Sequence, residues 1–161
     1  MFEWLRRSSG WHPPKTAGEE TTVCRLAPAE RPVAKSAQWV GDELHVEAAA
    51  AGSVSLFDVS LPDVDACRLT YRASLQTGAN PGPVYLEMYC RIPDRGLFFS
   101  RAVDQKIPGK QNWTPVETPF YLEAGQHADL LHLNLVFEAP GTAVLRDLQV
   151  TSAALAANES A

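Results

Sequence analysis

The stretch CRLTYRASLQTGANPGPVYLEMYCR, residues 67–91, decides the fold because it contains two alternating segments separated by a turn-rich loop. In each segment every second residue is apolar, which is typical of a strand that buries one side in a core. The loop TGANPGP contains Gly, Asn and Pro, which favour turns. We therefore predict two central strands, each with one face in the core and one face accessible. The predicted inward residues are Cys67, Leu69, Tyr71, Ala73 and Leu75, then Val84, Leu86, Met88, Cys90 and Ile92.

The chain beyond Lys35 repeats this pattern in short segments. Residues 37–48 predict a hairpin that turns at Gly41 and Asp42. In SVSLFDVSL, residues 53–61, the alternation slips between Leu56 and Phe57, which indicates a β-bulge. Eight short strands with Gly and Pro between them, and no helical period, predict an all-β antiparallel sandwich or barrel. Eight is also the number of strands in a jelly roll.

The length of 161 residues fits one domain with tails. We predict an extended N-terminal arm over residues 1–34, which is Pro-rich and has no periodic apolar face. The sandwich is predicted over residues 35–151, and a short C-terminal tail over residues 152–161. A net charge of −5 argues against binding to nucleic acid, because a phosphate backbone requires clustered Lys and Arg.

The beginning of the chain suggests a location and a binding segment. It lacks the apolar stretch of a signal peptide, and no run reaches the ~20 apolar residues of a membrane-spanning helix. We therefore expect a protein that is cytoplasmic or peripheral on the cytoplasmic side of a membrane. The first residues combine aromatic and cationic side chains, which suit a membrane interface or a partner's groove, although a frayed terminus is the alternative. They are Phe2, Trp4, Leu5, Arg6, Arg7 and Trp11.

Metal and cofactor motifs are absent from the sequence. The three cysteines lack CxxC spacing, which fits neither a disulfide framework nor a zinc site, and we expect Cys67 and Cys90 to be buried free thiols. The four histidines form no HExxH pair, and no GxSxG, P-loop or GxGxxG motif is present. We expect no cofactor and no metal, and we predict that the protein is not an enzyme.

The order of these signals resembles the jelly-roll carbohydrate-binding modules and the wider galactose-binding-like β-sandwiches. The matching segments are RLTYRASL, VYLEMYC, WTPVETPFYL and GTAVLRDLQV. The resemblance implies a jelly-roll sandwich over about residues 35–151. Several of those families use paired acidic residues in the last strand for a structural calcium. This chain has Arg146 and Asp147 there, and a cation at that position would repel calcium.

The resemblance also implies a candidate binding face. Consecutive strands of a jelly roll tend to alternate between the two sheets, which would place the strand at 84–92 beside the strand at 129–138. In the related modules the outward face of this sheet often binds sugar. The predicted ligand or partner face consists of Tyr85, Glu87, Tyr89, Arg91, His132 and Asn134. Phe98 is assigned to the same face, although the alternation of its own strand is ambiguous.

The composition of this face leaves three interpretations open. Tyr with Glu, Arg, His and Asn suits a sugar, Tyr and Arg suit a protein interface, and both also occur on plain surfaces. We expect a non-catalytic interaction module, an accessory subunit that joins other protein subunits of a larger, membrane-associated complex through its face and arm. The alternative is a carbohydrate-binding module whose Tyr85, Tyr89, His132 and Asn134 contact a glycan. Glu87 is the only carboxylate that we place on the face, whereas a glycosidase requires two.

Overall fold

The computed structural model describes residues 15–16 and 19–156. These residues form ten β-strands and no helix, arranged as two antiparallel sheets, so the predicted all-β antiparallel sandwich is confirmed. Within this part of the chain no helix is long and apolar enough to span a membrane. The strands are β1 (Thr21–Arg25), β2 (Ala37–Val40), β3 (Glu43–Ala48), β4 (Gly52–Val64), β5 (Cys67–Thr77), β6 (Val84–Ile92), β7 (Gly96–Arg101), β8 (Thr114–Leu122), β9 (Ala128–Phe137) and β10 (Gly141–Ala154).

The six-stranded sheet is built on β10, which is long enough to pair with two strands along one edge. The order is β2-β3-β10-β5-β8, and β1 also pairs with β10. β3 pairs with the first half of β10 and β1 pairs with the second half, while β5 pairs along its other edge. The register between β10 and β5 shifts between Arg146 and Gln149, where Asp147 has a positive φ of 57°.

Strand β1 corrects the predicted N-terminal arm. Thr21–Arg25 falls within residues 1–34 but belongs to the sheet, pairing with β10 from Ser152 back to Gln149. The sequence TTVCR does not alternate clearly and its register contains a bulge, so only the backbone pairing reveals it as a strand. β10 likewise extends to Ala154, into the predicted tail. The division of the remaining chain into arm, sandwich and tail stays a prediction.

The four-stranded sheet contains the elements that position the candidate face. Its order is β4-β9-β6-β7, so the expected proximity of the strands at 84–92 and 129–138 holds, and they pair directly. The bulge expected in β4 is also present, because the register with β9 shifts between Ser55 and Phe57. Leu56 and Phe57 are consecutive and both buried. The alternation of inward and outward residues therefore changes phase at the bulge and continues regularly after it.

The core lies between the two sheets and is formed by the inward residues of all the long strands. β6 and β9 contribute Leu86, Met88, Leu131 and Leu133, none of which is exposed. Complete burial of a side chain of this size contributes about 1.5–3 kcal/mol to folding. The expectation that Cys67 and Cys90 are buried free thiols agrees with the structure, in which both are free and buried.

We predict that Leu133→Ala lowers the free energy of unfolding by about 2–5 kcal/mol, because truncation leaves a cavity between tightly packed sheets. Urea unfolding measures this change. Leu97→Ala in the same sheet is the matched control, since Leu97 is 53% exposed and its truncation should change the free energy by less than about 0.5 kcal/mol. Equal losses in the two variants would contradict the described packing.

We also predict that Cys90 resists alkylation in the folded protein. Burial raises the pKa of the Cys90 thiol to about 12, with a smaller effect of the nearby Cys67, so very little reactive thiolate exists at pH 8. Iodoacetamide labelling followed by peptide mass spectrometry should modify the half-buried Cys24 first. Cys90 should be modified only after unfolding in guanidinium chloride. Modification of Cys90 as fast as Cys24 in the native protein would overturn this expectation.

Candidate functional site

The outward side chains of β4, β9, β6 and β7 form one continuous surface, which we call the tyrosine face. Residues directly opposite on antiparallel strands share a face, so the strand register assigns its members. Each row across the sheet combines one residue from each neighbouring strand. The tyrosine face consists of Ser53, Ser55, Asp58, Ser60, Tyr85, Glu87, Tyr89, Arg91, Leu97, Phe99, Arg101, Leu130, His132, Asn134 and Val136.

Glu87 lies at the centre of the tyrosine face but is only 2% exposed. Its carboxylate accepts hydrogen bonds from Ser53 Oγ at 2.8 Å and from Asn134 Nδ2 at 2.9 Å, both on Oε1. Arg101 Nε donates to Oε2 at 2.7 Å and forms an ion pair with it. A buried carboxylate requires such partners to offset the loss of hydration. Glu87 is therefore not itself exposed to a ligand. It instead fixes the positions of the side chains that donate hydrogen bonds to it.

Arg101 links this buried carboxylate to the aromatic residues. Its guanidinium carbon lies 4.1 Å from the centroid of the Phe99 ring, and its Nη2 donates to the Tyr89 hydroxyl at 3.3 Å. The Tyr89 and Phe99 rings are 5.9 Å apart and tilted by 48°. Burial lowers the pKa of Arg101, but the hydrogen bond and charge of Glu87 outweigh this and raise it overall. Arg101 is therefore a fixed cation beside two rings.

A second hydrogen-bonded pair of side chains lies in the next row of the tyrosine face. His132 Nδ1 is 2.7 Å from Asp58 Oδ1, and since a carboxylate only accepts, Nδ1 is the donor. Asp58 and His132 are opposite one another across β4 and β9, and His132 is opposite Tyr89 across β6. This contact orients the imidazole of His132 next to the aromatic residues.

Two further cations lie towards the ends of the face. Arg91 makes two hydrogen bonds of 2.9 Å with Asp129. Lys106 pairs with Glu138, and its ammonium lies 5.5 Å from the centroid of the Tyr85 ring. Burial raises the pKa of the Tyr85 hydroxyl, so this group remains protonated and able to donate a hydrogen bond.

The structure brings together six of the seven predicted face residues. The exception is Phe98, which lies opposite the buried Cys90 and packs against the core, so Phe99 takes the expected outward position. Because Phe98 and Phe99 are consecutive, the sequence pattern did not show which of them faces outward. Ser100 settles the direction, because it points inward and its Oγ donates to the Pro119 carbonyl of β8 at 2.6 Å.

Sequence reasoning missed four members of the central network. They are Ser53, Asp58, Phe99 and Arg101. The bulge in β4 was visible, and counting outward positions on its two sides would have found Ser53 and Asp58. No sequence signal gave the direction of Phe99 and Arg101. The predicted arm residues Phe2, Trp4, Leu5, Arg6, Arg7 and Trp11 lie outside the described residues.

The cation of the last strand, Arg146, contacts an aromatic ring. The Arg146 guanidinium lies 4.0 Å from the centroid of the Trp113 ring, and no ion pair joins it to Asp147 in the described chain. Among the residues that the structure describes, no group of three or more His, Cys, Asp or Glu side chains is placed to hold a metal ion.

Comparison with known proteins confirms the resemblance at the level of the fold. No family model and no curated protein matches the chain. The xylan-binding CBM22-1 domain of Paenibacillus barcinonensis Xyn10C is 13% identical, with a TM-score of 0.54 over 90% of this chain and 100% of that domain. The CBM22-1 and GH10 modules of Clostridium thermocellum xylanase 10B, complexed with xylohexaose, are 10% identical, with a TM-score of 0.50 over 91% of this chain and 30% of that one.

A similar solved structure also comes from outside the carbohydrate-binding modules. The Stig cyclase Fisc from Fischerella sp. TAU, in complex with a pyrrolidinylidene indole, is 12% identical, with a TM-score of 0.50 over 94% of each chain. At such low identities these similarities show the fold alone. The fold is therefore that of a jelly-roll carbohydrate-binding module, and it also occurs in an enzyme.

We predict that Glu87→Ala lowers the free energy of unfolding by about 1–3 kcal/mol, because Ser53, Asn134 and Arg101 lose their shared buried acceptor. Thermal and urea unfolding measure the change. Glu138→Ala is the matched control, because Glu138 directly follows β9 of the same sheet. Its ion pair with Lys106 is largely solvated, so we expect little change. If both variants were as stable as the wild-type protein, Glu87 would not organise the face.

Proposed function

We propose that this protein binds a glycan on the tyrosine face as a non-catalytic module. The observation that supports this most strongly is the network around Glu87, which fixes Arg101 and Asn134 beside the half-buried rings of Tyr89 and Phe99. A sugar presents apolar ring faces together with hydroxyls that both donate and accept. Aromatic rings next to fixed donors and acceptors complement this chemistry.

The polar groups of the face suit a ligand with many hydroxyls. Each cationic side chain on it is already paired with a carboxylate, as in Arg101 with Glu87 and Arg91 with Asp129. A hydroxyl can donate a hydrogen bond to an exposed carboxylate and accept one from a guanidinium. When a ligand displaces water from the face, its hydroxyls can therefore replace the hydrogen bonds that both partners of an ion pair made to water.

The solved structures suggest the first ligand to test. One of the similar domains is described as xylan-binding, and another structure contains xylohexaose. We extend this to the present chain as a proposal, with a xylan-type oligosaccharide as the candidate ligand. The cyclase shares the fold, and its structure contains an indole compound rather than a sugar. A binding test of the present chain must therefore be accompanied by chromatography of the ligand after incubation.

Only part of the accessory-subunit prediction is included in this proposal. Its central element, a non-catalytic binding face, is shared with the glycan proposal. Membership of a membrane-associated complex through Phe2, Trp4, Leu5, Arg6 and Arg7 stays a prediction, because these residues lie outside the described chain. Purification of the full chain with and without residues 1–14, followed by mass spectrometry of co-purifying proteins, would test it separately.

We predict that Tyr85→Ala and Tyr89→Ala each weaken the binding of xylohexaose at least tenfold, equivalent to about 1.4 kcal/mol, because each removes an aromatic surface from the face. Isothermal titration calorimetry measures the dissociation constants. Chromatography of the recovered ligand should show unchanged xylohexaose.

The matched control is Tyr121→Ala, which truncates a tyrosine on β8 in the opposite sheet. This variant should bind xylohexaose as the wild-type protein does. A wild-type protein that binds neither xylohexaose nor any member of a broad glycan array would refute the proposed function. Cleavage of the ligand by the wild-type protein would refute its non-catalytic part.

A further inference from the structure

Arg101 is the one arginine of the tyrosine face whose position is fixed from two directions. Its Nε donates to the buried Glu87, and its Nη2 donates to the Tyr89 hydroxyl. The Arg101 guanidinium carbon also lies over the Phe99 ring, 4.1 Å from the ring centroid. A guanidinium has five N–H donors in one plane. Both hydrogens of Nη1 and one of Nη2 therefore make no hydrogen bond to the described residues.

The side chain that carries these remaining donors is partly exposed. The Arg101 side chain is 36% exposed, whereas that of Glu87, which holds it, is 3% exposed. The terminal edge of any guanidinium carries one hydrogen on each Nη and points away from Nε, so in Arg101 it points away from Glu87. Such an edge recognises two neighbouring oxygen acceptors with parallel hydrogen bonds. Its orientation is set before any ligand arrives, which reduces the entropy lost on binding.

We propose that Arg101 selects glycans with a vicinal pair of free hydroxyls, and that Glu87 is the positioning residue that aims Arg101 at this pair. The inference rests on the proposed glycan-binding function and names the ligand feature that the site recognises. Two hydroxyl oxygens on adjacent ring carbons are spaced closely enough for one N–H from each terminal nitrogen. Phe99 and Tyr89 then contact the apolar part of the same sugar ring.

The linkage of a glycan decides whether it offers this feature. A 1,4-linked xylose residue keeps free hydroxyls on its adjacent second and third carbons. In a 1,3-linked glucose residue the linkage occupies the third carbon, so the internal residues have no vicinal pair. We therefore expect the protein to prefer xylohexaose to laminarihexaose, a 1,3-linked glucose hexamer, and we expect this preference to depend on Arg101.

The test measures the dissociation constants of both hexasaccharides by calorimetry for wild-type protein, Arg101→Lys and Glu87→Gln. Lysine keeps the charge but lacks the two-pronged edge. We expect Arg101→Lys to weaken xylohexaose binding about tenfold to a hundredfold and to reduce the preference over laminarihexaose by a similar factor. Glu87→Gln keeps the side-chain size but weakens the interaction that holds Arg101. The preference for xylohexaose over laminarihexaose should therefore also decrease, by a smaller factor.

Arg146→Lys is the matched control, because Arg146 also lies on an aromatic ring, Trp113, but in the other sheet. It should leave both dissociation constants unchanged. A merely structural role of Arg101 would weaken both ligands equally and leave their ratio intact, which would overturn the inference. If the wild-type protein binds xylohexaose and Arg101→Lys retains the full preference, the inference also fails while the proposed function stands. If the wild-type protein binds neither hexasaccharide and no other glycan, both the inference and the proposed function are refuted.

Discussion

The antiparallel pairing of β6 with β9 fixes both surfaces of the four-stranded sheet, and the rest of the molecule is arranged around it. On the inner side it places Leu86, Met88 and Cys90 opposite Leu135, Leu133 and Leu131, all of them fully buried. On the outer side the same register places Glu87 opposite Asn134 and Tyr89 opposite His132. A shift of one residue would exchange the two faces. The burial of the core residues therefore also holds the candidate site in register.

The burial of Glu87 distinguishes the tyrosine face from an ordinary solvated sheet surface. Charged residues on an exposed face remain hydrated and make weak ion pairs, as Arg91 and Lys106 do. Glu87 instead has three donors and almost no contact with solvent. Asn134 Oδ1 beside it is buried without a partner in the described chain. A buried oxygen without a partner costs free energy.

The predictable part of this structure follows from side-chain alternation. The strict patterns of β5, β6 and β9 gave the strands, their inward residues and, with the jelly-roll resemblance, the pairing of β6 with β9. Alternation could not reveal β1, whose five residues are held by backbone hydrogen bonds to a strand more than a hundred residues later. It could not choose between Phe98 and Phe99, which are both aromatic. The burial of Glu87 depends on Arg101, Ser53 and Asn134, three residues that are distant in sequence and close only in the fold.

The positions of the cations relative to the rings limit how a ligand approaches. Arg101 lies over Phe99, and Lys106 lies over the ring of Tyr85, so part of each aromatic surface is already in contact with a cation. Lys106 makes a solvated ion pair with Glu138, so moving it off the Tyr85 ring costs little free energy. Arg101 is held by a buried carboxylate and must remain where it is. The tyrosine face therefore presents a movable cation at Tyr85 and a fixed cation beside Tyr89, and in the function that we propose the fixed cation recognises the hydroxyls of the ligand.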